Sequence, residues 1–264
     1  MSQGFAWNPE DYRDNSSWQL EWATALIEQL HLRGDERILD IGCGDGKVTA
    51  RLAAQAPQGG VVGVDSSTEM IAYAKSAVSA VNLRLQTGDA TALDFEDEFE
   101  VVVSFACLHW VRNHRAVLGG IHRALRRGGR ILMQFGGKGN CEALLATVNE
   151  MAVEETWAAL RGVVCPWTFF GADEYRGLLE GAGLKARRVE LAPKDMRFEG
   201  TTGLGSWVRT TWHPYVQAFR AERVDAFLDE LAARYAAVHP PDHDGSLHLP
   251  MVRLEVEAEK SGDG

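Results

Sequence analysis

The sequence predicts an α/β protein built on a doubly wound, mostly parallel sheet of seven strands, and three observations predict it. Residues 37–49 read Arg-Ile-Leu-Asp-Ile-Gly-Cys-Gly-Asp-Gly-Lys-Val-Thr. Ile38, Leu39 and Ile41 form the short apolar run of a strand buried on both faces, and Val48 and Leu52 then recur at helical spacing, so a strand runs through glycines into a helix. Strand-like and helix-like patterns continue to alternate as far as Phe135, at spacings that suit right-handed crossovers covering both faces of a parallel sheet. Residues 99–105, with Val101, Val102 and Val103 in the middle, are the most strand-like run of the chain.

The elements follow in order. Residues 1–15 carry Phe5, Trp7, Pro9 and Tyr12, too aromatic for a loose tail. Ser16 and Gln19 stand at capping-box spacing, and Trp18, Leu20, Trp22, Ala23, Leu26, Ile27 and Leu30 give the next helix a broad apolar face, so residues 1–30 are expected to form a lid. A second strand, 61–64, ends at Asp65, after which Ser66 and Glu69 are expected to cap a helix carrying Met70, Ile71 and Ala74. Leu83 and Leu85 mark a third strand, closed by Gly88, Asp89 and Ala90. The fourth strand, 99–105, leads into Ala106-Cys107-Leu108-His109-Trp110. A helix with Val117, Leu118, Ile121, Ala124 and Leu125 then passes through Arg127-Gly128-Gly129 to a fifth strand, 130–135.

Beyond residue 136 the alternation loosens. Residues 141–159 read as one helix, 173–182 as a short helix and 184–191 as a sixth strand. Val224, Phe227, Leu228, Leu231, Tyr235 and Val238 mark a long helix, and Val252, Leu254 and Val256 alternate with Arg253, Glu255 and Glu257 as in a strand with one wetter face. The expected organisation is a single domain, with a core at 31–194, a helical cap inserted at 195–245, and the last strand and tail at 246–264. All eight tryptophans fall outside the predicted strands and suit anchors of the cap. Trp110 differs, because it follows a strand's carboxyl end, the edge at which open α/β sheets bind ligands.

A net charge of -10 opposes binding to nucleic-acid backbones, which relies on clustered cations. No apolar run approaches transmembrane length and no basic, apolar leader precedes Trp7, so a soluble, cytoplasmic protein with a small-molecule partner, and without nucleic acid or membrane, is expected. The four cysteines are widely separated and form no C-x-x-C pair, which argues against a disulfide framework or a zinc site; no metal is expected.

Gly42, Gly44 and Gly46 alternate through the first strand-to-helix turn, where a missing side chain lets a ligand approach the backbone. A dinucleotide fingerprint would need a third glycine where Lys47 stands, and Gly46-Lys47-Val48 lacks the hydroxyl and spacing of a Walker loop. Asp40, two residues before Gly42, would repel a pyrophosphate and attract a cation. Asp65, 19 residues after Gly46, suits an acid accepting hydrogen bonds from ribose hydroxyls.

The D-x-G-x-G-x-G of residues 40–46 resembles motif I of the class I S-adenosylmethionine-dependent methyltransferases. Trp7-Asn8-Pro9 with Tyr12, Leu108-His109-Trp110-Val111 with His114, and Ser206-Trp207-Val208 with Thr211, Pro214 and Tyr215 resemble trans-aconitate methyltransferases nearly end to end. Residues 15–19 are more similar to the entry helix of juvenile-hormone-acid-type carboxyl methyltransferases, and the Leu-x-Trp piece is shared with malonyl-carrier-protein methyltransferases. The resemblance implies a Rossmann-like fold with an antiparallel last strand, and S-adenosylmethionine as cofactor, leaving as S-adenosylhomocysteine.

For the cofactor it implies Asp40 and the loop Gly42, Cys43, Gly44 and Gly46, then Asp65 with Ser66 at the ribose. Asp89 with Ala90 would meet the adenine amino group, Met70 the adenine face, and Ser104, Phe105 and Ala106 the methionine part. For the acceptor it implies Gln19 and Trp110 orienting a carboxylate, with Tyr12, Trp18, His109, Arg112, Trp207, Arg209 and His213 near the substrate. The expected activity is O-methylation of a small carboxylic acid. The alternatives are a hydroxyl, nitrogen or carbon acceptor, and a module that binds the cofactor without chemistry. A carboxylate is already ionised at neutral pH and needs no general base, so His109 is read as structural.

Overall fold

The computed structural model describes residues 17–262, with side chains from Leu20 onward. Tyr12 and the first half of the expected lid lie outside the described residues, as do the side chains of Trp18 and Gln19. Their backbone opens helix α1 (Ser17–Gln29).

Seven strands form one sheet in the order β3-β2-β1-β4-β5-β7-β6. The strands are β1 (Arg37–Ile41), β2 (Gly60–Asp65), β3 (Leu83–Thr87), β4 (Phe99–Phe105), β5 (Leu125–Gly136), β6 (Leu184–Glu199) and β7 (Ser246–Lys260). β1 pairs parallel with β2 and with β4, β2 with β3 and β4 with β5, while β7 runs antiparallel to β5. The chain winds outward from β1 to β3, then returns to β4 on β1's other side. The carboxyl ends of β1 and β4 therefore flank the switch point at which doubly wound sheets open a crevice.

Strand alternation sorts the core into two layers. Val102, Ile131, Met133, Phe135, Leu254 and Val256 face one way, against Leu118 of α4 (His114–Ala124) and Tyr175 of α6 (Ala172–Gly181). Val101, Val103, Phe105 and Leu132 face the other, against Ile27 of α1 and Leu52 of α2 (Lys47–Gln55). Helix α3 (Thr68–Ala77) is capped one residue later than the sequence suggests. Ser67 is the cap, its Oγ accepting from the Met70 N–H at 3.1 Å. Ser66 stays exposed on the turn.

The chain divides into two compact units. Among the described residues, the first holds those up to 138, 167–192 and those from 253 onward; the second holds 139–166 and 193–252. The second unit thus contains the expected cap and adds residues 139–166 to it. Within it lie α5 (Glu142–Ala152), α7 (Gly200–Thr211), α8 (His213–Val216) and α9 (Ala221–Val238). Its interior is aromatic: Phe219 stacks on Phe227 at 4.8 Å and meets Trp157 edge-on at 5.8 Å.

Three expected boundaries move. The helix expected over 141–159 ends at Ala152, and Glu155–Gly162 coils as 3-10 turns with Trp157 out of helical geometry. β6 continues past Pro193 to Glu199; it lies at the edge of the sheet, where a missing N–H costs little. The strand whose alternation is read from Met251 in the sequence starts earlier, at Ser246, with Leu247, Leu249 and Met251 buried.

Candidate active site

The loop between β1 and α2 is pinned on three sides. Gly42 and Cys43 both donate their N–H groups to the Val64 carbonyl, at 2.7 and 3.1 Å, so the loop folds back over the end of β2. Gly42 has φ +77, and a Cβ there would sit 2.2 Å from the Cys107 sulfur in the turn after β4. Gly44, at φ +53, donates its N–H to Asp65 Oδ2 at 2.9 Å, while Asp65 Oδ1 accepts from the Ser67 N–H at 2.9 Å. Asp65 thereby ties the loop to the start of α3.

Beneath the loop lies Asp40, 2% exposed, whose Oδ2 accepts from the Thr49 hydroxyl at 2.7 Å. Burial pushes its carboxyl up to about 7; the Thr49 hydroxyl opposes the rise and the charge of Asp65 adds to it. Burial also raises Asp65, against the backbone N–H groups that favour its charged form. Two carboxylates behind a glycine loop, one buried and one half-buried, repel phosphate and favour a cation. The loop opens on a cleft of about 440 Å³, including the space open to solvent. The cleft is bounded by Asp40, residues 42–45, Lys47, Val48, Leu20 of α1, and Phe105 and Ala106 at the end of β4.

The sequence-derived cofactor residues thus fall into two groups. Asp40, Gly42, Cys43, Gly44, Phe105 and Ala106 wall the cleft, and Asp65 holds its loop. The others lie around it. Gly46 turns into α2 against Val78 and Ala74, and Met70 is buried in α3. Ser104, 0% exposed, donates its hydroxyl to the Ile41 carbonyl at 2.7 Å and so joins β4 to β1 below the cleft. Asp89 is exposed beyond β3, one oxygen accepting both the N–H and the hydroxyl of Thr91 at 2.8 Å; Ala90 packs on the core.

The turn after β4, Leu108–Trp110, is held by a buried pair that sequence reasoning missed. His114 Nε2 lies 3.0 Å from the Leu108 carbonyl and His114 Nδ1 lies 3.2 Å from the Tyr175 hydroxyl. The carbonyl can only accept, so Nε2 carries the proton and Nδ1 accepts from the tyrosine. Burial brings this histidine down to about 4. Phe170 and Phe135 enclose its ring, at 4.5 and 5.6 Å.

On this scaffold His109 Nδ1 accepts from the Gly136 N–H at 3.3 Å, and the His109 carbonyl accepts from the Thr168 N–H at 2.8 Å. Burial holds the imidazole's protonation well below the usual histidine range, and the cationic Arg253 acts in the same direction. His109 is therefore a neutral ring with one nitrogen occupied. Trp110, half-buried, meets Trp167 edge-on at 5.5 Å, and Trp167 stacks on Phe169 at 5.9 Å, forming an aromatic wall beside the turn.

The remaining acceptor candidates divide between the two units. Arg112 is exposed on the same turn. Trp207, Arg209 and His213 belong to the second unit. There Trp207 is buried between Phe198 and Trp212, Arg209 forms a surface ion pair with Asp225, and His213 opens α8. Arg253, read in the sequence as part of a strand's wetter face, is 4% exposed; it stands opposite Gly136 in register, its guanidinium 5.7 Å from the centre of the Trp22 ring.

Comparison with known proteins agrees with this geometry. A family profile described as a methyltransferase domain matches residues 38–129. The trans-aconitate 2-methyltransferase of Deinococcus radiodurans is 30% identical over 244 residues, covering 89% of this chain and 92% of that protein. The chain belongs to the S-adenosylmethionine-dependent methyltransferases. An uncharacterized methyltransferase of Schizosaccharomyces pombe is likewise 30% identical, over 81% of this chain and 83% of its own length. Among solved structures, phosphoethanolamine N-methyltransferase 2 of Haemonchus contortus, bound to S-adenosylhomocysteine, shares the fold. Its TM-score is 0.60 at 18% identity, over 96% of this chain and 57% of that one. The enzyme's cofactor is S-adenosylmethionine, and the cation-favouring glycine cleft fits it. Among the described residues no helix is long and apolar enough to cross a membrane.

Proposed function

We propose that this methyltransferase acts on the oxygen of a small carboxylic acid. The observation that carries the proposal is the state of His109, the imidazole nearest the cleft in sequence and a natural candidate for a base. It is neutral, it titrates well below neutral pH, and its Nδ1 is taken by the Gly136 N–H. A base working near neutral pH has a pKa near that pH, and His109 does not. A carboxylate, with a reference pKa of about 4, arrives already ionised and asks for no proton transfer. Several trans-aconitate 2-methyltransferases at 27–30% identity support the same acceptor class.

When bound, S-adenosylmethionine supplies a methyl group on a sulfonium leaving group. The chain's own residues hold and exclude. Asp40 and Asp65 would set a negative field under the glycine loop, and Asp65 and Ser66 would hold the ribose, with Asp89, Ala90 and Met70 toward the adenine. Gln19 and Trp110 would orient the acceptor oxygen for in-line displacement at the methyl group, and positioning of this kind contributes roughly 7–11 kcal/mol when it is near attack geometry. The aromatic wall of Trp110, Trp167 and Phe169 keeps water from the reacting oxygen and strengthens charge interactions there. Tritiated-methyl transfer to pooled tricarboxylates, fatty acids and malonyl thioesters, run beside pools of alcohols, phenols and amines, tests the proposal. Label in the acid pools is the expected result, and label confined to the other pools would replace the carboxylate by a hydroxyl or nitrogen acceptor.

A further inference from the structure

We infer that His114 is a positioning residue of the methyl transfer. Through the Leu108 carbonyl it fixes the strained connection between Ala106, which walls the cleft, and Trp110, whose place at the acceptor rests on the reading proposed above. Ala106 stands at φ +52, in the left-handed region that side chains rarely adopt. A residue persists there only where its surroundings over-determine it. On one side β4 does so: the Ala106 N–H donates to the Gln134 carbonyl at 2.8 Å, continuing the pairing of Phe105 with Gln134. On the other side the Leu108–Trp110 turn closes on itself, the Trp110 N–H donating to the Cys107 carbonyl at 3.0 Å and the Val111 N–H to the Leu108 carbonyl at 2.9 Å. Bonds internal to a turn shape it but do not place it.

Placement comes from outside the turn. The Gly136 and Thr168 N–H groups hold His109, and His114 Nε2–H holds Leu108, the turn residue nearest Ala106. His114 opens α4, where the Asn113 side chain caps the helix by accepting from the Ala116 N–H at 3.1 Å, so the imidazole is carried on a fixed backbone. The buried Tyr175 hydroxyl donates to Nδ1 and keeps the proton on Nε2. Phe135, Phe170 and Tyr175 box the ring at 5.6, 4.5 and 5.4 Å. An apolar ring would fill that box without the cost of burying two polar nitrogens. What the imidazole adds is the bond to Leu108. Because the Leu108 carbonyl also accepts from Val111, losing the imidazole does not orphan it, and the substitution should displace the turn more than it unfolds the protein.

The test uses the full chain. His114→Phe combined with Tyr175→Phe replaces both polar partners by phenyl rings and should melt near the wild type, since neither group is left buried and unpaired. His114→Gln keeps a donor for Leu108 and an acceptor for Tyr175. With S-adenosylmethionine saturating and whichever pool of the tritium assay the wild type labels, the double variant should slow single-turnover transfer roughly 100-fold, the effect of a displacement of about 1 Å, and His114→Gln should stay within about tenfold. Packing alone would give the reverse order, because an amide fills the aromatic box less well than a phenyl ring. In protein labelled with fluorotryptophan, the fluorine signal of Trp110, assigned by its loss in Trp110→Phe, should move in the double variant and that of Trp157 should not. A folded double variant with either the rate or the Trp110 signal at its wild-type value overturns the inference, as does a His114→Gln variant slower than the double variant. Should the double variant fail to fold, Tyr175→Phe takes its place, a moved signal with slower transfer supporting the role and either one unchanged refuting it. Label confined to the alcohol, phenol or amine pools would overturn the carboxylate acceptor and leave His114 to be judged in those pools. A wild type that labels no pool would overturn the acceptor reading, and the Trp110 signal alone then decides for or against His114.

Discussion

At the β1–β2 end of the sheet's carboxyl edge the wall is backbone and carboxylate: the Gly42–Gly46 loop, Asp40 and Asp65. At the β4–β5–β7 end it is ring side chains, a neutral imidazole and a buried guanidinium: Trp110, Trp167, His109 and Arg253. The first end suits a cationic ligand that must lie close to the main chain. The second is the end at which we propose that the acceptor is oriented and kept dry.

The contrast predicts different sensitivities to substitution. At the proposed cofactor site the backbone itself is the binding surface, so the largest effect should come from one methyl group. Gly42→Ala places a carbon 2.2 Å from the Cys107 sulfur at φ +77, and binding of S-adenosylhomocysteine should fall more than about 100-fold or the fold should fail. Calorimetry and thermal unfolding report which. Adding Cys107→Gly should recover part of the loss by removing the clash, while the positive φ remains.

A second consequence is electrostatic. A carboxyl raised from 3.8 to about 7 on folding contributes stability that is present below its unfolded value and lost as pH rises through about 7. Near pH 8 the ligand-free enzyme therefore carries a buried charge it would be more stable without. Asp40→Asn keeps an acceptor for Thr49 and should be more stable than the wild type there, by about 2–4 kcal/mol at 1.4 kcal/mol per pKa unit, with the difference fading toward pH 4. Equal melting temperatures at both pH values would show that burial costs Asp40 nothing. The same variant is expected to bind S-adenosylhomocysteine more weakly in calorimetry, because the proposed ligand would offset a charge that the fold does not.

How much was legible in the sequence follows the same divide. Asp40, the three glycines and Asp65 lie within 26 residues and meet through local geometry, so their spacing marked one loop, and the resemblance of residues 40–46 to motif I supplied the ligand proposed for it. The cap of α3 was displaced by one residue because Ser66 and Ser67 are equivalent as residue types, and only the Asp65 contact to the Ser67 N–H selects between them. Pro193 reads as a strand breaker unless β6 is known to be an edge strand. At the other end the pairs that shape the wall are distant in sequence: His114 with Tyr175, His109 with Gly136, Arg253 with Trp22. Alternation assigned Arg253 and Glu255 to a second face of β7 but carried no sign that the face is covered, so a buried cation looked like a solvated one.

The smallest expected effect concerns His109. With S-adenosylmethionine saturating, His109→Ala should change the single-turnover rate by less than about threefold, whereas loss of a true general base costs roughly 10²–10⁴-fold. A flat rate between pH 6 and 9 would not decide the matter, because an imidazole held this far below its ordinary range stays neutral throughout. The substitution does decide it.

The chemical nature of the product tests the central claim most directly. The enzyme, tritiated S-adenosylmethionine and a small-molecule cell extract are incubated together, and the labelled product is then warmed in alkali. A methyl ester releases its label as volatile methanol, while a methyl ether, a methylamine or a carbon-bound methyl does not. Alkali-volatile tritium is the expected result; label that stays with the product after alkali would contradict a carboxylate acceptor.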